Sequence, residues 1–176
     1  MKEVIYNKHN LKEEDINKRV YRARAVIINS DNEILLGFCK NTYQFPGGYA
    51  EENETISDCL KREVLEETGI VIEDKQYNPF YIIKHYNPNH PEEGINSYTE
   101  LNYFVVSTEQ KYDVKNMNLD EFEKENNFEL RYVNLKDFEK TLNDSMKDNR
   151  KNEIVYPEML DVLKAYNKLE KDKFKR

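Results

Sequence analysis

The sequence holds only two cysteines, five glycines and five prolines in 176 residues, and no apolar run that approaches membrane-spanning length. Cys39 and Cys59 are isolated thiols with no Cys-x-x-Cys spacing, which excludes a zinc knuckle and a disulfide framework. Cys59 falls among apolar helix positions and reads as a small core residue. Gly, Pro and Ser never gather into a linker, and no segment repeats, so one domain with modest extensions is expected. Positive charge is in deficit, 27 bases against 34 acids for a net charge of −7. That excludes a chain built for non-specific nucleic-acid binding, which rewards clustered Lys and Arg, and leaves no polybasic membrane anchor. Residues 1–19 lack an apolar h-region and do not read as a secretory signal. The expected setting is cytoplasmic, with neither membrane nor nucleic acid as partner.

What the chain does have is enough apolar material for a core: 38% hydrophobic residues, including 8 Phe and 13 Tyr. Residues 1–19 are polar and read as an N-terminal lead-in or a short edge strand. Val20 to Ile28 alternates and is β-branched, Asn29 to Asn32 is a turn cluster, and Glu33 to Phe38 reads as the returning strand of a hairpin. Pro46, Gly47 and Gly48 interrupt regular structure. A helix is predicted from about Thr55 to Thr68: Thr55 and Asp58 have capping spacing, Gly69 suits a C-terminal stop, and Ile56, Cys59, Leu60 and Val64 form its apolar face. Further strands are predicted at 80–83, 101–106 and 129–133, a loop or short helix at 119–127, and helices at 135–142 and 154–169. The order predicts an α/β domain over residues 20–170, with helices on both faces of a mixed sheet, followed by a charged tail at 171–176.

Glu63, Glu66 and Glu67 stand at i, i+3 and i+4, so all three lie on one helix face. Like charges at that spacing repel unless a cation sits among them. Mg²⁺ and Mn²⁺ take oxygen donors and combine carboxylates with substrate phosphates. A solvated acidic face is the bland reading of the same spacing. Gly47 and Gly48 shift the balance, because their backbone can approach a metal or a phosphate closely. Arg62 is placed to pair with Glu54 or with the cluster and so to fix the loop against the helix.

Residues 48–70 read GYAEENETISDCLKREVLEETGI. Gly48, Glu54, Arg62, Glu63, Val64, Glu66, Glu67, Gly69 and Ile70 fill every defined place of the Nudix box, and a chance match is on the order of one in a hundred million per start position. The chain resembles the Nudix hydrolase family. Phe45-Pro46-Gly47-Gly48 is similar to the family's lead-in, Glu129 to Leu135 to its late strand with Tyr132 where Trp is commoner, and Tyr156-Pro157 to the opening of its terminal helix. The resemblance covers roughly residues 20–165 and implies an α/β/α sandwich with a mixed, curved β-sheet and a loop-helix-loop that holds Mg²⁺ or Mn²⁺. It implies Glu63, Glu66, Glu67 and the Gly47 carbonyl as metal ligands, Arg62 as the cation that orients them, and Glu54 as a support for the box. The implied reaction is water attack on a diphosphate in a nucleoside diphosphate linked to another group. A homodimer is compatible with the resemblance.

For the general base the resemblance implies Glu63 or a glutamate from a distant loop, the candidates being Glu100, Glu121, Glu123, Glu125 and Glu129. Arg22 and Arg24 share one strand face and are candidate phosphate contacts, with Glu54 beside them as a substrate-side acid. His85, His90 and Tyr86 read as ordinary surface residues. Two other classes compete: a non-catalytic Nudix-like binding or regulatory module, which would ordinarily lose box acids, and an isomerase on the same fold, which wants catalytic motifs outside the box that are not identified here. The substrate is open among ADP-ribose, nucleoside triphosphates, nucleotide sugars and dinucleoside polyphosphates.

Overall fold

The computed structural model describes residues 1–173 and opens on a short strand, β1 (Lys2–Tyr6), so the lead-in is partly ordered as an edge strand. β2 (Lys18–Ile28) and β3 (Glu33–Cys39) follow, joined through the Asn29 to Asn32 turn and antiparallel as expected. β4 (Thr42–Gln44) is a three-residue strand that the sequence pattern does not announce. Then come α1 (Ile56–Thr68), β5 (Tyr81–Asn87), β6 (Ser97–Ser107), the one-turn α2 (Glu121–Glu125), β7 (Glu129–Asn134), α3 (Phe138–Asp144) and α4 (Asn152–Lys173).

α4 starts at Asn152, ahead of the predicted Ile154, and runs on through the charged stretch expected to fray. Lys–acid pairs spaced i, i+3, such as Lys173 with Glu170 at 2.6 Å, support its exposed end. Residues 174–176 of the predicted tail lie outside the described residues.

The strands form one mixed sheet in the order β1-β5-β6-β2-β3-β4, with β7 on the other edge of β3. β2 and β6 run parallel along their whole lengths, from Lys18 beside Ser97 to Ile28 beside Ser107. β2 alternates between faces. Ala23, Ala25 and Ile27 pack with Cys59, Leu60 and Val64 of α1, while Val26 and Ile28 pack with Phe138, Tyr156, Met159 and Val162 of α3 and α4. Helices therefore cover both faces, and the fold is the expected α/β/α sandwich. Arg22 and Arg24 have the same parity as Val26 and so point toward α4.

The site originates in a departure from that sheet. β3 pairs with β2 only at Ile27–Leu35 and Ile28–Ile34, and then turns away to pair with β4. The vacated edge of β2 is taken by the glycine loop. Ala25 N–H donates to Pro46 O (2.8 Å), Ala23 N–H to Gly48 O (3.1 Å), and Ala50 N–H returns to Tyr21 O (2.9 Å).

Candidate functional site

α1 begins where its sequence predicts. The Thr55 hydroxyl accepts the Asp58 N–H at 3.1 Å, and Gly69 closes the helix in the left-handed conformation with its N–H on Leu65 O at 2.8 Å. Two more of the free carbonyls at its end are taken by the loop that follows β6: Asp113 N–H donates to Thr68 O (2.9 Å) and Asn118 N–H to Glu66 O (2.8 Å). These bonds tie the loop between β6 and α2 to the end of α1 and so fix where α2 lies.

Arg62 is the hub of the acid cluster. Its Nε and Nη2 donate to the two Glu54 carboxylate oxygens at 2.9 and 2.8 Å, its Nη1 to Glu63 at 2.7 Å and Glu66 at 3.1 Å, and Nη2 also to the Tyr49 carbonyl at 2.9 Å. One guanidinium thus ties the loop to three carboxylates, as the spacing suggested. The hydrogen bond to Arg62 holds the Glu54 carboxyl below the usual range. Burial pushes Glu63 up, against the pull of Arg62.

Glu67 is different. It is only 4% exposed and makes no ion pair with Arg62; its Oε2 accepts the Gly47 N–H at 3.0 Å. Burial holds its carboxyl well above the usual range, the facing Glu123 adds to the shift, and Arg24 opposes it. Gly47 is also gripped from the other side, where Arg24 Nη1 donates to its carbonyl and to that of Phe45 (2.9 Å). A Cβ on Gly47, whose φ is +134°, would fall 2.2 Å from Ala23 O, and one on Gly48 would fall 2.5 Å from both Glu63 carboxylate oxygens. Gly47 is required by its φ and by backbone contact, whereas at Gly48 the neighbour is the movable end of the Glu63 side chain.

These groups open onto a cavity of about 740 Å³. The glutamates of α1 line it together with Arg22 and Arg24. Exposed Tyr49, whose ring lies 4.2 Å from the Arg22 guanidinium, and exposed Phe122 line it too. The structure thus brings together Gly47, Arg62, Glu63, Glu66, Glu67, Arg22 and Arg24. Glu54 is not among the residues that line the cavity with the two arginines; both its oxygens are held by Arg62.

Of the distant glutamates, only Glu123 reaches the cavity. Glu100 is held by Tyr98 and Asn102, and Glu129 by Arg131. Glu121 and Glu125 are not in the cavity wall. His85 pairs with Glu158 at 3.0 Å, and Tyr86 donates to Glu13 at 2.9 Å. Asn118, Asp120, Tyr49 and Lys151 also line the cavity, and no sequence signal marked them. Their positions follow from the loop bonds onto α1 and from where α4 begins. Among the described residues, no three acidic, His or Cys side chains converge closely enough to hold an ion as they stand. Glu63 and Glu66 are turned onto Arg62, and Glu67 onto Gly47.

The NUDIX domain family model matches residues 18–155, which takes in every element from β2 to the start of α4. The chain belongs to the NUDIX family. It is similar to the ADP-ribose pyrophosphatase of Methanocaldococcus jannaschii, 40% identical over 76 residues that span 38% of this chain and 45% of that one. It is also similar to the NAD-capped RNA hydrolase NudC of Vibrio parahaemolyticus, 35% identical over 63 residues, covering 34% of this chain and 24% of that one. A shorter stretch matches the 8-oxo-dGTP diphosphatase of Buchnera aphidicola, 52% identical over 33 residues, or 19% of this chain and 27% of that one. The match thus spans less than half the length of each of these relatives. Among solved structures, the MutT NUDIX hydrolase from Burkholderia pseudomallei aligns with TM-score 0.50 at 19% identity, over 68% of this chain and 86% of that one, a likeness of Nudix fold. No helix among the described residues is long and apolar enough to cross a membrane.

Proposed function

We propose that this NUDIX protein is a pyrophosphohydrolase that uses Mg²⁺ or Mn²⁺ to cut the diphosphate of a small nucleoside diphosphate-type substrate. The observation that carries the reading is Glu67. It is a buried carboxyl that makes no salt bridge among the described residues, on the same helix face as Glu63 and Glu66, at the wall of a cavity that Arg22 and Arg24 also line. Burying a carboxyl is expensive, and beside Glu63 and Glu66 at a cavity wall that expense is offset if a bound cation draws off its proton and holds it as a carboxylate.

The donor set fits a hard divalent cation: three carboxylates and the Gly47 carbonyl, all oxygen, beside a loop where Gly48 has no side chain to obstruct Glu63. When bound, such an ion would neutralise the diphosphate, lower the pKa of the attacking water and stabilise the leaving phosphate. The chain's own residues do the rest. Arg62 keeps the glutamates aligned, while Arg22 and Arg24 face the substrate's phosphate oxygens across the cavity. A carboxylate takes the proton from water as its oxygen bonds to phosphorus and the bridging P–O bond breaks toward the departing phosphate. Glu63 is that acceptor in our reading. Glu123 is the second reading, favoured by its position against Glu67 at the cavity wall.

The test is a hydrolysis panel of ADP-ribose, nucleoside triphosphates, nucleotide sugars and dinucleoside polyphosphates, with Mg²⁺ or Mn²⁺ and with EDTA. Turnover of at least one compound that stops in EDTA supports the reading, and turnover undiminished by EDTA overturns it. Tight binding without turnover would make the chain a binding module.

A further inference from the structure

The cationic side of the cavity holds a residue that the diphosphate reaction does not call for. Lys151 comes to it from the residue before α4, and its position is fixed by its neighbours. Asn152 is fully buried; its amide nitrogen donates to Asn41 O (3.0 Å) and Ser145 O (2.8 Å), and its oxygen accepts the Thr42 hydroxyl (2.8 Å). Asn149 donates to Lys40 O at 2.8 Å. These bonds pin the start of α4 to the turn between β3 and β4 and hold Lys151 over β2, where it lines the cavity together with Arg22 and Arg24.

The same three cations also line a smaller pocket of about 80 Å³ that continues behind the first, between β2 and α4. No ion pair neutralises any of them among the described residues. Arg22 Nε is buried and has no hydrogen-bond partner, Arg24 donates only to the Phe45 and Gly47 carbonyls, and Lys151 makes no salt bridge. Glu158 lines the smaller pocket too, but its carboxylate is engaged by His85 at 3.0 Å. The electrostatic strain is visible in the groups themselves. Burial and the facing arginines hold the Lys151 ammonium below its usual pKa, and burial with Arg24 brings Arg22 down to about 10. Lys151 is exposed as a residue, but it lines both pockets with Arg22 and Arg24, and three cations gathered on one cavity repel one another until an anion arrives.

We propose that Lys151, with Arg22, forms an anion subsite for a phosphate group of the substrate beyond the diphosphate that is cleaved. Nucleotides carrying a third phosphate are then favoured over sugar-linked nucleoside diphosphates. The subsite rests on the proposed hydrolase reading for its place in the reaction, but its affinity for phosphate does not.

Two measurements on the full chain test it separately. In EDTA, titrating inorganic phosphate into the protein should show binding that Lys151→Gln weakens by at least about tenfold and Lys151→Arg restores. Glu52→Gln, exposed and outside the cavity wall, should leave that binding intact. Lys151→Gln should also melt about 1–4 °C higher, since an uncompensated charge has gone, so lost binding cannot be blamed on misfolding. With Mg²⁺, Lys151→Gln should raise KM for a nucleoside triphosphate by about tenfold with kcat little changed, and leave KM for a nucleotide sugar within about twofold. Phosphate binding that is absent in the wild type, or equal in wild type and Lys151→Gln, overturns the subsite. So does an equal rise in KM for both substrates. No hydrolysis of any compound would sink the hydrolase reading instead, and the phosphate titration would still decide the subsite.

Discussion

Glu67, on the last turn of α1, accepts the Gly47 backbone N–H at 3.0 Å, joining the far end of the helix to the loop that precedes it. The bond locks a carboxylate into a buried place where its charge is poorly compensated, and this has a measurable consequence for pH.

Burial raises the Glu67 pKa well above 4.5, and burial raises Glu63 as well. The folded chain therefore keeps protons at pH values where the unfolded chain has released them. Such groups contribute stability that is fully present below the unfolded pKa and is lost as pH rises through the folded one. Metal-free protein should lose stability in urea titrations as pH rises above the ordinary carboxyl value of 4.5, and Glu67→Gln should flatten that slope. A wild-type slope unchanged by the substitution would show that Glu67 ionises in the fold as freely as in the unfolded chain.

Arg62→Ala leaves Glu54, Glu63 and Glu66 without their shared partner in a half-buried setting. The loss should be about 2–3 kcal/mol of stability. Melting should fall by about 5–10 °C, with metal affinity falling alongside. Arg62→Lys should recover little, because one ammonium cannot make the two parallel bonds to Glu54 and still reach Glu63 and Glu66. Unchanged melting in both variants would make Arg62 a dispensable surface cation.

The two glycines should separate folding from activity. In Gly47→Ala the new methyl meets backbone, Ala23 O at 2.2 Å, at a φ of +134°, so a loss of about 2–4 kcal/mol in stability is expected. In Gly48→Ala it meets the movable end of Glu63 at 2.5 Å. Stability should then change by about 1 kcal/mol or less while metal affinity and turnover drop, because Glu63 is displaced. Thermal melts and metal titrations of the pair check this, and equal losses of stability would contradict it.

The sequence carried the box because its information is local: a helix of known period, a capping threonine, a stop glycine and acids at fixed spacing. From those alone Glu63, Glu66 and Glu67 share a face and Arg62 is within reach of them. The difference between Glu67 and its two neighbours was not legible, since it depends on Gly47 being folded back across α1 by the edge of β2. Glu123 could be named only as one of five candidates; its selection comes from the loop bonds that Thr68 O and Glu66 O accept. Lys151 carried no local signal at all. Its role depends on a buried Asn152 bound to Asn41, more than a hundred residues away in the chain, and no periodicity encodes such a contact. β4 was missed for a similar reason, as three residues are too few for alternation to show.

The most direct test of the central claim compares Glu67→Gln with Glu52→Gln on whichever diphosphate compound the panel identifies. Glu52 is exposed in the loop before α1 and outside the cavity wall. Glu67→Gln should lower turnover by at least tenfold, roughly 1.4 kcal/mol of transition-state stabilisation, while metal-free melting stays level or rises. Glu52→Gln should leave turnover and melting as they are. Equal turnover in the two variants would contradict the assignment of the α1 glutamates as the site of metal-dependent hydrolysis.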